Sequence, residues 1–259
     1  MIPDLLRSLS PSSYPRFADE KPTRTSRYVA FLSIIFLAAL GVSIKLRLAP
    51  LFTQTFTWLE TSMPKIQFAN GAVKSEPPGP LRIEHPRIKD FALFIDTTRE
   101  SPVAASELTD KKVIGVLTAR ALFLSQVGGG IKTIDFSKTS SDRPFVVDAD
   151  VYRGIERGFN WVVYPTMLLI VFLSFAASIG MSALMYTLIG TVIASTMNTT
   201  LSFGRLFRLA VHAQTAGCLL YSLDAILPFG IPFLPVISFV MSLSFFWIGV
   251  RALAQAPAA

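Results

Sequence analysis

Three long stretches of the chain carry almost no charge. Tyr28 to Ile44 is a run of 17 uncharged residues between Arg27 and Lys45. Gly158 to Gly204 adds 47, and Leu209 to Val250 adds 42, interrupted only by Asp224. About 20 apolar residues, each rising about 1.5 Å, carry a helix across the hydrocarbon of a bilayer. The pattern therefore predicts a first transmembrane helix over 28–48 and a long second one over 159–195. Two more follow within 196–259, at about 206–226 and 233–253. Pro228-Phe229-Gly230-Ile231-Pro232 separates the last two, because Pro and Gly do not propagate a helix. A two-span version of 158–204 would need a turn near Gly180. A cleaved leader is the other reading of the first run, but Lys45 and Arg47 follow it where a small-residue cleavage site would stand.

Between the first and second runs the pattern changes from long apolar blocks to short alternations. Lys65-Ile66-Gln67-Phe68 alternates, Asn70-Gly71 is a strong hairpin dipeptide, and Ala72 to Ser75 can return as its partner. Leu81 to His85 alternates again, and Asp90 to Asp96 is apolar enough to lie centrally. Val113–Leu117, Ala121–Gln126 and Ile131–Phe136 read as further strands, the last two joined by Gly128-Gly129-Gly130. Ser101 to Asp110 reads as a short helical turn. Asp148 or Asp150 can cap a helix beginning near Val151. Some six strands with one or two short helices are enough for a small core. Residues 51–63, with Phe52, Phe56 and Trp58, look amphipathic and suit a membrane surface. The expected fold class is a membrane α-helical protein of four transmembrane helices with an inserted extracytoplasmic β-rich (α+β) domain over 49–158.

Charge supplies the orientation. Residues 49–158 hold 14 basic and 13 acidic side chains, a net of +1 against +7 for the whole chain. The excess of base sits in tails and span flanks, which is how a positive-inside topology is written. With one long helix over 159–195, Arg205, Arg208 and Arg251 share a side with Arg24 and Arg27 of the 1–27 tail. Both termini are then cytoplasmic, and 49–158 faces outward. Mean hydropathy of +0.51 with 16% charged residues argues against a simple cytosolic protein. The pI near 9.7 does not point to nucleic acid, because the surplus is not a patch on one folded face. The tail has its own apolar stripe, Leu5, Leu6, Leu9, Tyr14 and Phe17. It suits either an interfacial helix on anionic lipid or a disordered segment broken by Pro11 and Pro15.

Several short segments carry a family resemblance. They are Leu9-Ser10-Pro11-Ser12-Ser13-Tyr14, Pro64-Lys65-Ile66 with Asn70-Gly71, and Phe94-Ile95-Asp96-Thr97-Thr98. Leu201 to Tyr221, where Arg205, Leu206, Arg208 and Leu209 lead into a span, completes the set. Together they resemble the bacterial DUF1189 family of multipass membrane proteins, and the last segment is similar to the wider Yip1-like membrane region. The chain has Arg99 where the family often has Gly, and Ala216-Gly217 where Pro is frequent. The resemblance implies topology; the family has no established activity, so it implies no catalytic residue.

Candidate chemistry is sparse. Asp224 stands in an apolar run, and an intramembrane carboxylate is a candidate for a proton relay or cation site; its bland alternative is an acid at the membrane edge beside Pro228. His212 is the other ligand or proton candidate, with a packed, hydrogen-bonded histidine as its alternative. Twelve residues, about 18 Å of helix, separate it from Asp224, so the two cannot touch within one straight helix. His85, His212 and Cys218 are too few and too scattered for zinc. Asp90, Asp96, Asp148 and Asp150 lack calcium-loop spacing. No cofactor is expected. Small residues four apart, at Ala176/Gly180, Gly190/Ala194 and Ala213/Gly217, allow close helix packing, internally or with a partner helix. The expected role is a non-enzymatic accessory or sensing subunit. Its partners would be the bilayer and a membrane or envelope protein, with a homo-oligomer possible. A small transporter or lipid-handling protein using Asp224, and a membrane-anchored enzyme, are the alternatives.

Overall fold

Residues 1–10, 13–126, 130–137, 144–197 and 199–255 are described by a computed structural model. Helices α1 (Ile2–Ser8) and α2 (Tyr14–Ala18) precede α3 (Pro22–Arg47), and α4 (Ala49–Ser62) follows. Strands β1 (Lys65–Ala69), β2 (Ala72–Glu76), β3 (Leu81–Glu84) and β4 (Ala92–Asp96) lead to α5 (Ala105–Asp110). Then come β5 (Gly115–Thr118), β6 (Ala121–Ser125), β7 (Ile131–Asp135), β8 (Phe145–Val147) and α6 (Ala149–Gly158). A π-helical turn, Phe159–Val163, precedes α7 (Tyr164–Thr196), α8 (Phe203–Ala213), α9 (Thr215–Ile226) and α10 (Leu234–Gln255). The chain divides into a helical unit, Met1–Leu48 with Tyr164–Ala259, and a β-rich unit, Ala49–Val163.

Among the described residues, three helices are long and apolar enough to cross a membrane: Pro22–Arg47, the run Ala149–Thr196, whose first residues belong to the β-rich unit, and Leu234–Gln255. α7 alone spans 33 residues, roughly 50 Å, with no turn at Gly180. The continuous helix expected over 206–226 is instead two helices that meet at Gln214. Its amide nitrogen bonds Val211 O at i−3, and its side chain donates to Ala210 O at 3.2 Å and to Ile179 O at 3.1 Å. Thr215 Oγ1 takes His212 O at 2.7 Å. These polar side chains bind carbonyls of the last turn of α8, which tightens and ends there. The core of the helical unit gathers Tyr14, Phe17, Tyr28, Leu32, Leu206, Leu209 and Phe246. The described residues of the tail are largely helical, and Tyr14 and Phe17 pack into the bundle interior. Ile2 and Leu6 of α1 remain exposed.

The β-rich unit holds two sheets, β2-β1-β8 and β3-β4-β5-β6-β7. Asn70 and Gly71 both take positive φ (51° and 72°), and the two-residue loop pairs Ala69 with Ala72, as a primed hairpin turn requires. β4 pairs in parallel with β5, which needs a crossover, and α5 supplies it. β5, rather than β4, is the fully buried strand. β8 had no counterpart in the sequence pattern. It is three residues long and is held by non-local pairing with β1. Helix α4 buries Trp58 in a cluster with Ile66, Val73, Ile83 and Ile95, while Leu51 and Phe52 near its start remain exposed. Gly128 and Gly129 of the expected hairpin lie outside the described residues.

Electrostatics on this unit concentrate at α5. Glu107 accepts from Arg99 at 2.5 Å and from Lys111 at 2.8 Å, and these hydrogen bonds, Arg99 first, hold its carboxyl down from 4.5 to about 2. A carboxyl lowered on folding contributes stability above its unfolded value and loses it as pH falls toward the folded one. The unit is thus expected to weaken as pH drops from about 4.5 to about 2, by about 1 kcal/mol for this solvent-screened cluster. Glu107→Gln should flatten that part of a denaturation-versus-pH profile; an unchanged slope would show that the cluster contributes nothing.

Candidate functional site

The polar side chains of the helical unit converge on His212. α8 is amphipathic, and its inner face, Leu206, Leu209, Ala210 and Ala213, carries His212 into the core at 1% exposure. α2 and α3 close on both faces of the imidazole. Phe17 stacks at 3.8 Å between centroids, with 7° between planes, and Tyr28 stacks on the other side at 4.3 Å. The ring edge is engaged at both nitrogens. Nδ1 lies 2.8 Å from Ser8 Oγ, and Nε2 lies 2.8 Å from Glu20 Oε1.

Ser8 Oγ donates to Asp4 O at 2.8 Å, the i−4 carbonyl of its own helix, and Nε2 of His212 faces the Glu20 carboxylate, which accepts. Tyr28 OH donates to Ser8 Oγ at 3.1 Å and lies 2.8 Å from Thr215 Oγ1, sharing one proton between them. Burial pushes the Glu20 carboxyl upward, but the hydrogen bond and charge of His212, with Thr25 and Arg24, outweigh it and leave it below the ordinary range.

Ser8, His212 and Glu20 stand in the order nucleophile, base and acid, yet the contacts are those of a fastening. Ser8 is 1% exposed and its Oγ is fully engaged, which leaves no room for a substrate atom. The surrounding charges fasten the same segment. Arg24 reaches Asp4 at 2.6 Å and Glu20 at 3.5 Å. Two guanidinium nitrogens of Arg205 lie 2.9 Å from the Asp19 carboxylate, and only one of them is aligned as a hydrogen bond. Arg208 Nε donates to Ala18 O at 2.8 Å. Arg24, Arg205 and Arg208, read from sequence as topology signals, thus also tie the tail to α3 and α8. Arg27 lines an open charged recess with Asp4 and Glu20, and Arg251 is exposed near the end of α10.

The structure does not bring Asp224 to His212. Asp224 Oδ1 accepts from Ile231 N at 2.6 Å, closing the turn between α9 and α10. Arg47 donates to Ile226 O at 2.6 Å and also to Leu227 O beside it. The small residues divide by position. Gly190 and Ala194 are buried, Gly190 against Phe246 and Leu206. Ala213 is buried, and Gly217 faces Ser238 and Ser242 of α10. Around Gly180 there is open space, and Ala176 is half-buried. In the β-rich unit, His85 Nδ1 accepts from Arg87 N and Ile88 N, and Nε2 meets Thr55 Oγ1. Asp96 closes a turn on Thr98, Asp148 caps α6, and Asp150 pairs with Arg153. No group of three or more His, Cys, Asp or Glu able to hold a metal is found among the described residues.

Sequence reasoning missed Ser8, Phe17, Glu20, Tyr28 and Thr215 as partners of His212. One signal was present: Asp19-Glu20 is an adjacent acidic pair in a tail that carries a net positive charge.

Among the described residues, three helices are long and apolar enough to cross a membrane, and a β-rich unit is inserted in sequence after the first of them. The family model for "Protein of unknown function (DUF1189)" matches residues 5–250, and the chain belongs to that family. No curated protein and no solved structure matches it.

Proposed function

We propose that this chain is a non-catalytic accessory or sensing protein of a bacterial plasma membrane, whose β-rich unit faces outward and binds an envelope partner or ligand. The observation that carries this reading is an apolar groove of about 450 Å³ in the β-rich unit. It lies along the Asn70-Gly71 turn, the end of β7 and strand β8, with Phe68, Ile134, Phe136 and Phe145 as its walls. Phe145 is 58% exposed, an unusual cost for a small water-soluble unit unless something covers it. Four crossings, the third broken at Gln214, with both termini cytoplasmic, agree with the basic residues at 24, 27, 205, 208 and 251. Transport through Asp224 is less well supported, since its carboxylate already serves Ile231 N.

The test is a mild-detergent pull-down of the full chain with mass spectrometry, wild type against a Phe145→Asp, Ile134→Asp double variant. Both positions are exposed, so stability should move by no more than about 0.5 kcal/mol each. A specific partner or lipophilic ligand should be recovered with wild type and fall at least about tenfold with the variant, since apolar anchors dominate such contacts. Equal recovery, or a wild-type chain that purifies alone from its own membranes, would refute the reading.

A further inference from the structure

A second cavity, of about 450 Å³, lies within the helical unit between α3, α7, α9 and α10, around the Gln214 break. Its lining mixes two chemistries. Phe36, Phe175, Ile179 and Phe239 are apolar, whereas Ser178, Ser182, Ser238, Ser242, Tyr186 and Tyr221 bring hydroxyls. No Asp, Glu, Lys, Arg or His lines it.

One of these hydroxyls is unpaired. Ser238 is 9% exposed, makes no hydrogen bond among the described residues, and lines the cavity without being sealed from it. Other serines of these helices do find a partner: Ser222 donates to Cys218 O and Ser244 to Val240 O. Ser238 Oγ occupies the place a side chain at Gly217 would take, since a Cβ there would overlap it.

The mouth tells what can enter. Met185 and Phe239, at the rim, are exposed apolar side chains on α7 and α10, helices apolar and long enough to be spans. In a bilayer that opening meets hydrocarbon, not water. An occupant arriving from hydrocarbon is a lipid. An anionic or zwitterionic headgroup would lose its hydration against a lining with no counter-charge, so it is excluded on cost. A neutral head bearing a hydroxyl and ester oxygens satisfies Ser238 and leaves its chains beside Phe36, Phe175 and Phe239.

We infer that this recess is a lateral binding site for an uncharged, hydroxyl-bearing glycerolipid of the diacylglycerol class. The inference rests on α3, α7 and α10 crossing a bilayer and is independent of the groove in the β-rich unit, so a failed pull-down leaves it standing.

The full chain is reconstituted in phosphatidylcholine nanodiscs carrying either a photoactivatable diacylglycerol or a photoactivatable phosphatidylcholine with the same chains. Diacylglycerol should label peptides around Ser178–Met185 and Ser238–Ser242 at least about fivefold more than phosphatidylcholine, the discrimination one neutral hydrogen bond supports. Ser182→Phe, which fills the space, should abolish that labelling. Ser238→Ala, which removes one oxygen and leaves the volume, should lower it about fivefold without changing the melting temperature. Equal labelling by both probes, labelling confined to the outer helix faces, or labelling indifferent to Ser238→Ala would overturn the site. If Ser182→Phe fails to fold, Ser238→Ala decides alone.

Discussion

Replacing His212 with leucine is expected to release the tail from the helical unit. The substitution keeps an apolar side chain of similar reach between Phe17 and Tyr28, but it strands the Glu20 carboxylate in a buried site with Thr25 and Arg24 as its remaining partners. Removing one member of a buried ion pair costs about 3–5 kcal/mol, and the low end is expected here because Arg24, 3.5 Å away, still faces the Glu20 carboxylate. Trypsin cleavage after Arg7 and Arg16 should accelerate by at least about a hundredfold, if opening of the tail limits the rate. A Glu20→Gln, His212→Leu double variant should cost less than the sum of its singles, since the second change removes the stranded charge. Acid should act in the same direction. The Glu20 carboxyl is lowered on folding, so its stabilisation is present above the unfolded value of 4.5 and is lost as pH falls below it. Unchanged cleavage in the His212 variant would mean that the tail is held by Tyr14 and Phe17 alone.

The second large effect is steric. A Cβ at Gly190 would stand 2.5 Å from Phe246 Cζ, 2.9 Å from its Cε1 and 3.3 Å from Leu206 Cδ2. Phe246 and Leu206 are both fully buried, so neither has free space to retreat into. Gly190→Leu therefore overpacks the junction of α7, α8 and α10, at a cost of about 3 kcal/mol or more. Gly180→Leu is the matched control. Nothing lies within 4 Å of that position, and the change should stay within about 0.5 kcal/mol. Melting temperatures of the two variants in the same detergent separate these outcomes. Equal losses would show that helix propensity, and not packing at Gly190, governs the effect.

The contrast between these glycines shows where the sequence is informative. Spacing of four is identical at Ala176/Gly180 and Gly190/Ala194, yet only the second pair is packed against a neighbouring helix. Sequence periodicity places both pairs on a helix face; which face meets another helix depends on residues brought together from α8 and α10. The same holds for His212. Its presence in an apolar run was visible, and a packed, hydrogen-bonded ring was one of two readings. Ser8 and Glu20, its partners, lie 204 and 192 residues away. No local pattern encodes such a pairing. Gln214 was overlooked because a single amide in an apolar run changes hydropathy little, although its side chain takes the carbonyls that end α8.

By itself the sequence determined which stretches are helix and which are strand wherever the cause is local. Long uncharged runs bury backbone polar groups in helices, and Asn70-Gly71 accepts the positive φ of a tight turn. Tertiary structure decided what is paired over distance: the strand β8 against β1, the crossover that makes β4 and β5 parallel, and the tail fastened over α8. Those outcomes depend on complementary surfaces and buried polar groups meeting in three dimensions, and a buried polar group is costly without its partner, which constrains the pairing of Glu20 with His212.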